Sequence, residues 1–181
     1  MTPAPQGDPV VGRAGRGAGA GEVTPALADP DDPAVGRAVA ASLGLAPLPL
    51  EGGLFRRTYT GTQATAILFM VIGDDFSALH RLTSDEVYFH HAGAPLRMLL
   101  IDPEGAARAV MLGSDVTEGQ HPQFTVPAGW WQGSSTDGGW CLVSTVVTPG
   151  FDWADFELGD RSGLQQLCPA ATERIADLTR A

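Results

Sequence analysis

The ionisable side chains that could do chemistry concentrate in one short part of the chain. Glu86, Tyr88 and His90 alternate there with apolar residues, and His80 precedes them. Because successive side chains of a β-strand point to opposite faces, the three alternating polar groups share one face. An imidazole titrates near neutral pH, and a neighbouring carboxylate can orient it or carry its proton. We therefore predict a pocket lined by titratable groups that performs acid–base chemistry.

Other side chains are expected to complete this site. We predict His80 or His90 as the base, Glu86 as the group that orients it or carries a proton, and Tyr59 or Tyr88 as the acid. An arginine would hold an anionic or enolate-like group, a glutamine would hydrogen-bond the substrate, and a tryptophan would stack on a planar or cyclic ring. The predicted site is catalytic at His80, Glu86, His90 and Tyr59 and substrate-binding at Arg56, Tyr88, Gln132 and Trp131.

The remaining aromatic residues have structural predictions. Trp140 is expected in the core. Because Trp130 and Trp131 are adjacent, at most one of them faces inward on a regular strand. The aromatic residues of the later acidic segment are expected to cover a sheet or an interface; they are Phe151, Trp153 and Phe156.

Composition limits the possible functions. The 181 residues suffice for one domain with a substantial core. A net charge of −10 argues against nucleic acid as a partner, because phosphate neutralisation needs a basic patch. The chain has no lysine, which excludes Schiff-base and lysine-base chemistry. Its two cysteines, Cys141 and Cys168, have no motif spacing and are predicted to be structural.

Nothing in the sequence predicts a membrane or a secreted protein. No apolar run approaches the roughly 20 residues that a membrane-spanning helix needs. The N-terminus lacks the charged-then-apolar pattern of a signal peptide. We therefore expect a cytoplasmic protein that acts on a small molecule.

The elements that must position the site are mostly short strands. Residues 1–30 are rich in glycine, alanine and proline, so we expect a disordered or loosely ordered arm before a single domain over residues 31–181. An acidic cap followed by proline predicts a helix over 34–43, ended by Gly44. Apolar periodicity predicts a terminal helix over 163–180. Alternation and turn residues predict strands, typical of a β-sandwich or barrel, over 54–60, 65–72, 76–82, 86–91, 96–102, 108–112, 123–126, 131–134 and 140–148.

Four separated segments of the chain resemble one protein family. They are Glu51-Gly-Gly-Leu-Phe-Arg-Arg-Thr-Tyr59, His80-Arg-Leu-Thr-Ser-Asp-Glu86, Gly93-Ala-Pro-Leu96 and Thr148-Pro-Gly-Phe-Asp-Trp-Ala-Asp-Phe-Glu157. In this order they resemble the motifs of the fifth cupin family. The resemblance implies an all-β cupin fold, a double-stranded β-helix or jelly roll, with a short N-terminal helix and a C-terminal helix. Because cupins commonly pair through their sheet edges, it also implies a homodimer.

The general cupin pattern implies a metal site that this chain fills only in part. That site uses three histidines and a glutamate, which suit a divalent transition metal. His80 and Glu86 stand at two of these positions, whereas Leu82 and Gln132 stand at the others. Leucine has no donor atom and glutamine is a poor ligand, so we predict no cofactor. If a divalent metal binds, its expected ligands are His80, Glu86 and Gln132.

Residues and resemblance together predict a small-molecule enzyme of the isomerase, epimerase or cyclase kind. Cupin-type sugar-nucleotide epimerases move a proton beside a carbonyl without a metal, and this chain resembles them in fold and pocket type. The expected substrate is a carbonyl-bearing intermediate that is carbohydrate-like or belongs to secondary metabolism. Two alternatives stay open: a metal-dependent cupin enzyme, such as an oxygenase or lyase, and a non-catalytic cupin that binds a small ligand.

Overall fold

The computed structural model describes residues 29–180, which form two antiparallel β-sheets packed face to face. The first sheet contains, in spatial order, β1 (Ala46–Pro47), β2 (Leu54–Thr60), β3 (Thr65–Ile72), β10 (Trp140–Thr148), β5 (Asp85–Gly93) and β8 (Gln123–Val126). The second contains β11 (Phe156–Leu158), β4 (Ser77–Leu82), β9 (Trp131–Thr136), β6 (Leu96–Ile101) and β7 (Ala107–Leu112). This arrangement confirms the predicted all-β cupin jelly roll.

Alternate residues of the two sheets fill the space between them. Phe69, Val71 and Val143 from the first sheet belong to one buried cluster with Met98 and Leu100 from the second. Fully burying one such side chain stabilises the fold by about 1.5–3 kcal/mol. The core therefore fixes the inward face of each strand, and with it the polar side chains that share that face.

The first helix, α1 (Pro33–Leu43), begins and ends where the sequence predicts. The Asp32 side chain accepts a hydrogen bond from the backbone N–H of Ala34 at 2.8 Å, which caps the N-terminus. Gly44 ends the helix with a positive φ of 64°, a conformation that glycine adopts without strain. The helix packs on the outer face of the first sheet, over Trp140, which is buried as predicted.

The C-terminal segment differs from its prediction, because it forms two helices instead of one. α2 (Arg161–Leu167) is followed by a 3₁₀ turn at Pro169–Ala171 and then by α3 (Thr172–Asp177). A proline inside a helix removes a backbone donor and clashes with the preceding turn, so Pro169 separates the two. Within residues 29–180, no helix is long and apolar enough to cross a membrane.

Two short strands were missed by the sequence analysis. β1 lies in a proline-broken connection, and β11 lies in the aromatic segment that follows the last predicted strand. β1 pairs with β2 and β11 pairs with β4 through backbone hydrogen bonds. Such short edge strands carry no side-chain alternation long enough to detect.

The arm predicted over residues 1–30 lies outside the described residues except for its last two. The carbonyl oxygen of Asp29 accepts a hydrogen bond from Trp140 Nε1 at 3.0 Å. The carbonyl oxygen of Pro30 accepts one from the backbone N–H of Gly139 at 2.8 Å. These two residues are thus tied to the barrel just before α1.

Both cysteines are buried, and they form no disulfide with each other. Burial raises the pKa of the Cys141 thiol to about 12. The thiol therefore stays protonated and is a poor nucleophile or ligand. Cys168 packs in the apolar cluster beneath the C-terminal helices. Their surroundings agree with the structural role that the sequence predicts.

Candidate active site

A cavity of about 540 Å³ opens between the inner face of the first sheet and the β4–β11 edge of the second. Its buried end carries His80 and Glu86, which are 2% and 6% exposed. Arg56 and Arg57, both exposed, line it as well and mark its outer end. Much of the remaining wall is apolar, at Leu48, Phe55, Ile67, Leu82, Val147 and Phe156.

The orientation of His80 on β4 is fixed by a hydrogen bond to its own strand. Its Nδ1 lies 2.8 Å from the carbonyl oxygen of Ala78. A carbonyl oxygen only accepts, so Nδ1 carries the proton and Nε2 is the unprotonated nitrogen of the neutral ring. The ring also stacks on Phe156, with centroids 5.2 Å apart and planes inclined by 20°. His80 therefore has one fixed nitrogen and one nitrogen free to accept a proton.

Glu86 on β5 is held by two neutral donors. Its Oε2 accepts hydrogen bonds from Gln132 Nε2 at 2.6 Å and from the Tyr88 hydroxyl at 3.3 Å. Burial raises the pKa of Tyr88 well above its usual value, and the neighbouring carboxylates raise it further. Tyr88 therefore remains a phenol that donates to Glu86. The side-chain oxygen of Gln132, Oε1, is buried and has no hydrogen-bond partner within the described residues.

A second carboxyl group, Glu51, lies in the cavity and was not predicted. Its Oε1 accepts a hydrogen bond from Ser77 Oγ at 2.7 Å. Burial raises the pKa of Glu51; the charge of His80 opposes this, and the charge of Glu86 adds to it. A carboxyl with a raised pKa keeps its proton to higher pH and can act as a general acid. The sequence did contain an indication of Glu51, because this residue is the first of the first family-like segment.

The turn after Glu51 explains why two glycines follow it. Gly52 and Gly53 both have positive φ angles, of 94° and 70°, where other residues are strained. A Cβ atom on Gly53 would also lie 2.6 Å from the Phe69 ring. The glycine pair therefore lets the chain reverse tightly against the core and point Glu51 into the cavity.

Arg180, near the C-terminus, anchors the same turn from outside. Its Nη2 donates to Asp75 Oδ1 at 2.8 Å, to the Phe76 carbonyl at 3.0 Å and to the Glu51 carbonyl at 3.3 Å. The guanidinium also lies over the Phe76 ring, 4.2 Å from its centroid. Asp75 in turn accepts from the backbone N–H of Gly53 at 2.8 Å. The backbone that carries Glu51 is thus fixed on both sides.

The aromatic segment after β10 forms one wall of the cavity. Phe151, Trp153 and Phe156 all line it, whereas the sequence predicted that they cover a sheet or an interface. Their rings contact edge to face in series, with centroids 5.2 Å and 5.3 Å apart. A segment without regular strand alternation gives no indication of the side its rings face.

Four of the predicted site residues lie at the buried end of the cavity. His80 and Glu86 line it, while Tyr88 and Gln132 lie behind Glu86 and donate to it. Arg56 lines the outer end. Gln132 reaches this place because it pairs with His80 across β4 and β9, so both side chains share one face.

His90 shares the predicted face of β5 but is not at the cavity. Glu86, Tyr88 and His90 lie opposite Val147, Thr145 and Val143 of β10, as a shared face requires. His90 nevertheless lies four residues along the strand from Glu86, which is about 13 Å at the usual rise per residue. There, His90 Nε2 contacts the carbonyl oxygen of Ala94 at 3.3 Å, and burial lowers the pKa of the ring.

Tyr59 and Trp131 also lie away from the cavity. Tyr59 follows an irregularity in the pairing of β2 with β3 and is 58% exposed. Trp131 pairs with Arg81 on the outer face of the second sheet, because Gln132 takes the inner face. It packs beneath the C-terminal helices with Leu164, and the Arg81 guanidinium lies 4.6 Å from its ring centroid.

The donor set of the cavity does not fit the metal site that cupins imply. Among residues 29–180, no group of three or more histidine, cysteine, aspartate or glutamate side chains is arranged to hold a metal ion. Leu82 lines the cavity without a donor atom. Gln132, the expected third ligand, directs its amide N–H toward Glu86 instead of an oxygen toward a cation. Glu51 lines the same cavity but is not grouped with His80 and Glu86 closely enough to hold a metal ion, and those two alone would leave most of a metal's coordination sphere unfilled.

The paired sheets and the inward-facing polar cluster define a barrel of the cupin class. The family model described as the cupin superfamily (DUF985), Cupin_5, matches residues 37–159. The chain therefore belongs to this family, as the four motif-like segments predict.

Two solved structures are similar over most of the chain. One is a protein of Shewanella oneidensis, 34% identical with a TM-score of 0.74, covering 79% of this chain and 96% of that protein. The other is a hypothetical protein from Leishmania major, 32% identical with a TM-score of 0.72, covering 80% of this chain and 98% of that one. Neither is described by an activity, so they support the family and leave the reaction open.

More distant structures share the fold alone. A cupin 2 conserved barrel domain protein from Rhodopseudomonas palustris is 18% identical, with a TM-score of 0.55 over 76% of this chain and 92% of that one. Oxalate decarboxylase from Bacillus subtilis is 11% identical, with a TM-score of 0.52 over 74% of this chain and 37% of that one. A comparison with curated proteins found no match.

The raised pKa of Glu51 predicts a pH-dependent cost to stability. Since its folded-state pKa lies above the ordinary value of 4.5, wild type loses stability relative to a neutral variant as pH rises beyond that value. Glu51→Gln should therefore raise the melting temperature at about pH 8, and the gain should disappear at about pH 4. Glu104→Gln, the same change at an exposed turn, should show no such trend. A Glu51→Gln variant that is less stable at high pH would contradict the buried acid.

The incomplete donor set predicts that a divalent metal is not retained. After incubation with Mn²⁺ or Ni²⁺ and desalting, wild type should hold well below one equivalent by plasma mass spectrometry, and His80→Gln should hold as little. A full equivalent in wild type that is lost in His80→Gln would show that two protein ligands and water suffice. That result would restore the metal-dependent alternative.

Proposed function

We propose that this cupin is a small-molecule enzyme of the isomerase, epimerase or cyclase kind that moves a proton beside a carbonyl group. The observation that carries the proposal is the His80 ring, whose Nδ1 is fixed on the Ala78 carbonyl while Nε2 has no hydrogen-bond partner within residues 29–180. A fixed tautomer lets the imidazole accept a proton without first rearranging. Two carboxyl groups, Glu51 and Glu86, line the same cavity.

The proposed first step is abstraction of a proton from the carbon next to the carbonyl. That proton passes to Nε2 of His80, the C–H electron pair forms a double bond to the carbonyl carbon, and the π pair of the carbonyl moves onto its oxygen. The Glu51 carboxyl protonates this oxygen, so the intermediate is a neutral enol and Glu51 becomes a carboxylate. Reversal at another carbon or on the other face returns both protons and restores His80 and Glu51. The atoms and charges balance without a further reactant.

Glu51 takes the acid role that the sequence assigned to Tyr59 or Tyr88. Tyr88 is a poor proton donor to substrate because its pKa is raised well above the usual value and it donates to Glu86. Tyr59 is exposed and lies outside the cavity. The pKa of Glu51 is shifted upward by burial, which favours the protonated form that an acid needs.

Glu86 is proposed to stabilise the imidazolium that forms at His80. It lines the cavity beside His80 and is anchored by Gln132 and Tyr88, so it need not reorganise when the charge appears. A well-placed general acid or base contributes on the order of 10²–10⁴ in rate. In the proposed reaction, His80 and Glu51 would supply this acid–base contribution.

A homodimer and a cytoplasmic location remain proposals. Within the described chain, β8 at the edge of the first sheet has no neighbouring strand on one side, and β7 at the edge of the second is flanked there by a single bridge between Leu112 and His121. Unpaired strand edges favour pairing with a second copy. Sedimentation of the purified protein would decide the oligomeric state.

The proposal predicts that the protein exchanges protons beside a carbonyl with solvent. In deuterium oxide, wild type should accelerate loss of the corresponding proton NMR signals in at least one of pyruvate, phenylpyruvate and acetophenone. His80→Gln should lower that exchange by about 10²–10⁴. His121→Gln, at an exposed position outside the cavity, should exchange like wild type.

Equal exchange by folded His80→Gln and wild type would contradict the proposal. A ligand that raises the melting temperature of wild type without any exchange would instead support a non-catalytic binding protein. Circular dichroism melting of each variant serves as the folding control.

A further inference from the structure

The charged groups of the cavity lie at its two ends. Its inner end holds the buried side chains of His80 and Glu86 and the partly buried carboxyl group of Glu51. The exposed end holds Arg56 and Arg57. Apolar side chains form most of the wall between them, so a bound molecule would meet opposite electrostatic environments at its two ends.

Arg56 and Arg57 belong to the arginines that have no acidic partner within residues 29–180. Arg81, Arg97 and Arg180 form ion pairs with nearby acids. Within residues 29–180, neither Arg56 nor Arg57 forms one, although the whole chain carries a net charge of −10. Both residues line the cavity, and Arg57 lies on its inner face because it pairs with Ile67 of the cavity wall, so its guanidinium is left free to bind an anion.

An aromatic wall connects the arginines to the base. The Arg57 guanidinium lies 5.9 Å from the Phe151 ring centroid. From Phe151 the edge-to-face contacts continue through Trp153 to Phe156, which stacks on His80. Trp153 is 48% exposed although it lines the cavity, so a large apolar surface is open to a ligand there. Flat apolar groups pack well against such ring faces.

The buried end discriminates against an anion. Within residues 29–180, Glu86 accepts its hydrogen bonds from neutral groups and forms no ion pair with an arginine, so its carboxyl group lines the cavity without a guanidinium beside it. A negatively charged ligand group placed there would meet like charge in a desolvated site. The anionic end of a ligand therefore belongs at Arg56 and Arg57, and its neutral carbonyl end belongs at His80.

We propose that the substrate is a small organic anion with a flat apolar body, held by its carboxylate or phosphate at Arg56 and Arg57. This inference rests on the proposed proton transfer for the placement of the carbonyl at His80. It narrows the expected substrate from carbohydrate-like molecules toward aryl or alkyl acids, because a sugar's hydroxyl groups would find few partners along the apolar wall. Arg56 and Arg57 thus become the residues that determine substrate specificity.

Two fluorescent probes that differ in one charged group test this inference. Anilinonaphthalene sulfonate is an apolar anion, and phenylnaphthylamine is its neutral counterpart. The Arg56→Gln/Arg57→Gln double variant should bind the sulfonate at least about tenfold more weakly than wild type and bind the neutral probe within about twofold of it. Arg37→Gln, on the exposed face of α1, removes a charge remote from the cavity and should bind both probes like wild type.

Competition then separates the two sources of negative charge. Phenylacetate and phenyl phosphate should each displace the sulfonate probe, whereas benzyl alcohol at the same concentration should not. The stronger competitor identifies carboxylate or phosphate as the preferred group. High salt should weaken binding of the sulfonate to wild type more than to the double variant.

Several results would overturn the anion-binding inference. One is an unchanged affinity for the sulfonate in the double variant, and another is an equal loss of affinity for both probes. A third is displacement of the sulfonate by benzyl alcohol as strong as its displacement by the acids. His80→Gln should retain sulfonate binding while losing proton exchange. Loss of the arginine effect with proton exchange intact would therefore reject this inference alone, and the opposite pattern would reject only the proposed function.

Discussion

The site depends on the burial of a carboxylate among neutral hydrogen-bond donors. A buried charge is tolerated only when polar partners replace its hydrating water. One oxygen of Glu86 accepts hydrogen bonds from both Gln132 and Tyr88. In the general cupin pattern a metal cation would accompany this glutamate. Here Gln132 stands at one of the histidine positions of that pattern and donates a hydrogen bond to the carboxylate. Hydrogen bonds from neutral groups therefore stabilise the buried carboxylate.

The jelly roll brings the reacting groups together from distant parts of the sequence. Pairing of β4 with β9 sets His80 beside Gln132, and pairing of β5 with β10 aligns Glu86 with the same cavity. The glycine turn adds Glu51, which the Arg180 anchor holds from outside. Each of these contacts links segments far apart in the chain, so the site forms only when both sheets are complete.

Local sequence patterns predicted the scaffold better than they predicted the cavity. The long strands and α1 follow from alternation, from the Asp32 cap and from Gly44, all of which act over a few residues. His80 and Glu86 could be predicted because a family-like motif contains both. Glu51 was missed because its role depends on burial against the second sheet. His90 was misplaced because a shared strand face says nothing about distance along the strand.

The central claim is that the neutral His80 ring carries its proton on Nδ1 and leaves Nε2 free to accept one. Nitrogen-15 NMR of histidine-labelled protein measures this directly, with the His80 signals assigned from their loss in His80→Gln. At a pH where the ring is neutral, we predict the shifts and couplings of the Nδ1–H tautomer, as the 2.8 Å contact with Ala78 requires. A neutral ring protonated at Nε2 would contradict this account, because that nitrogen could not abstract a proton from a substrate.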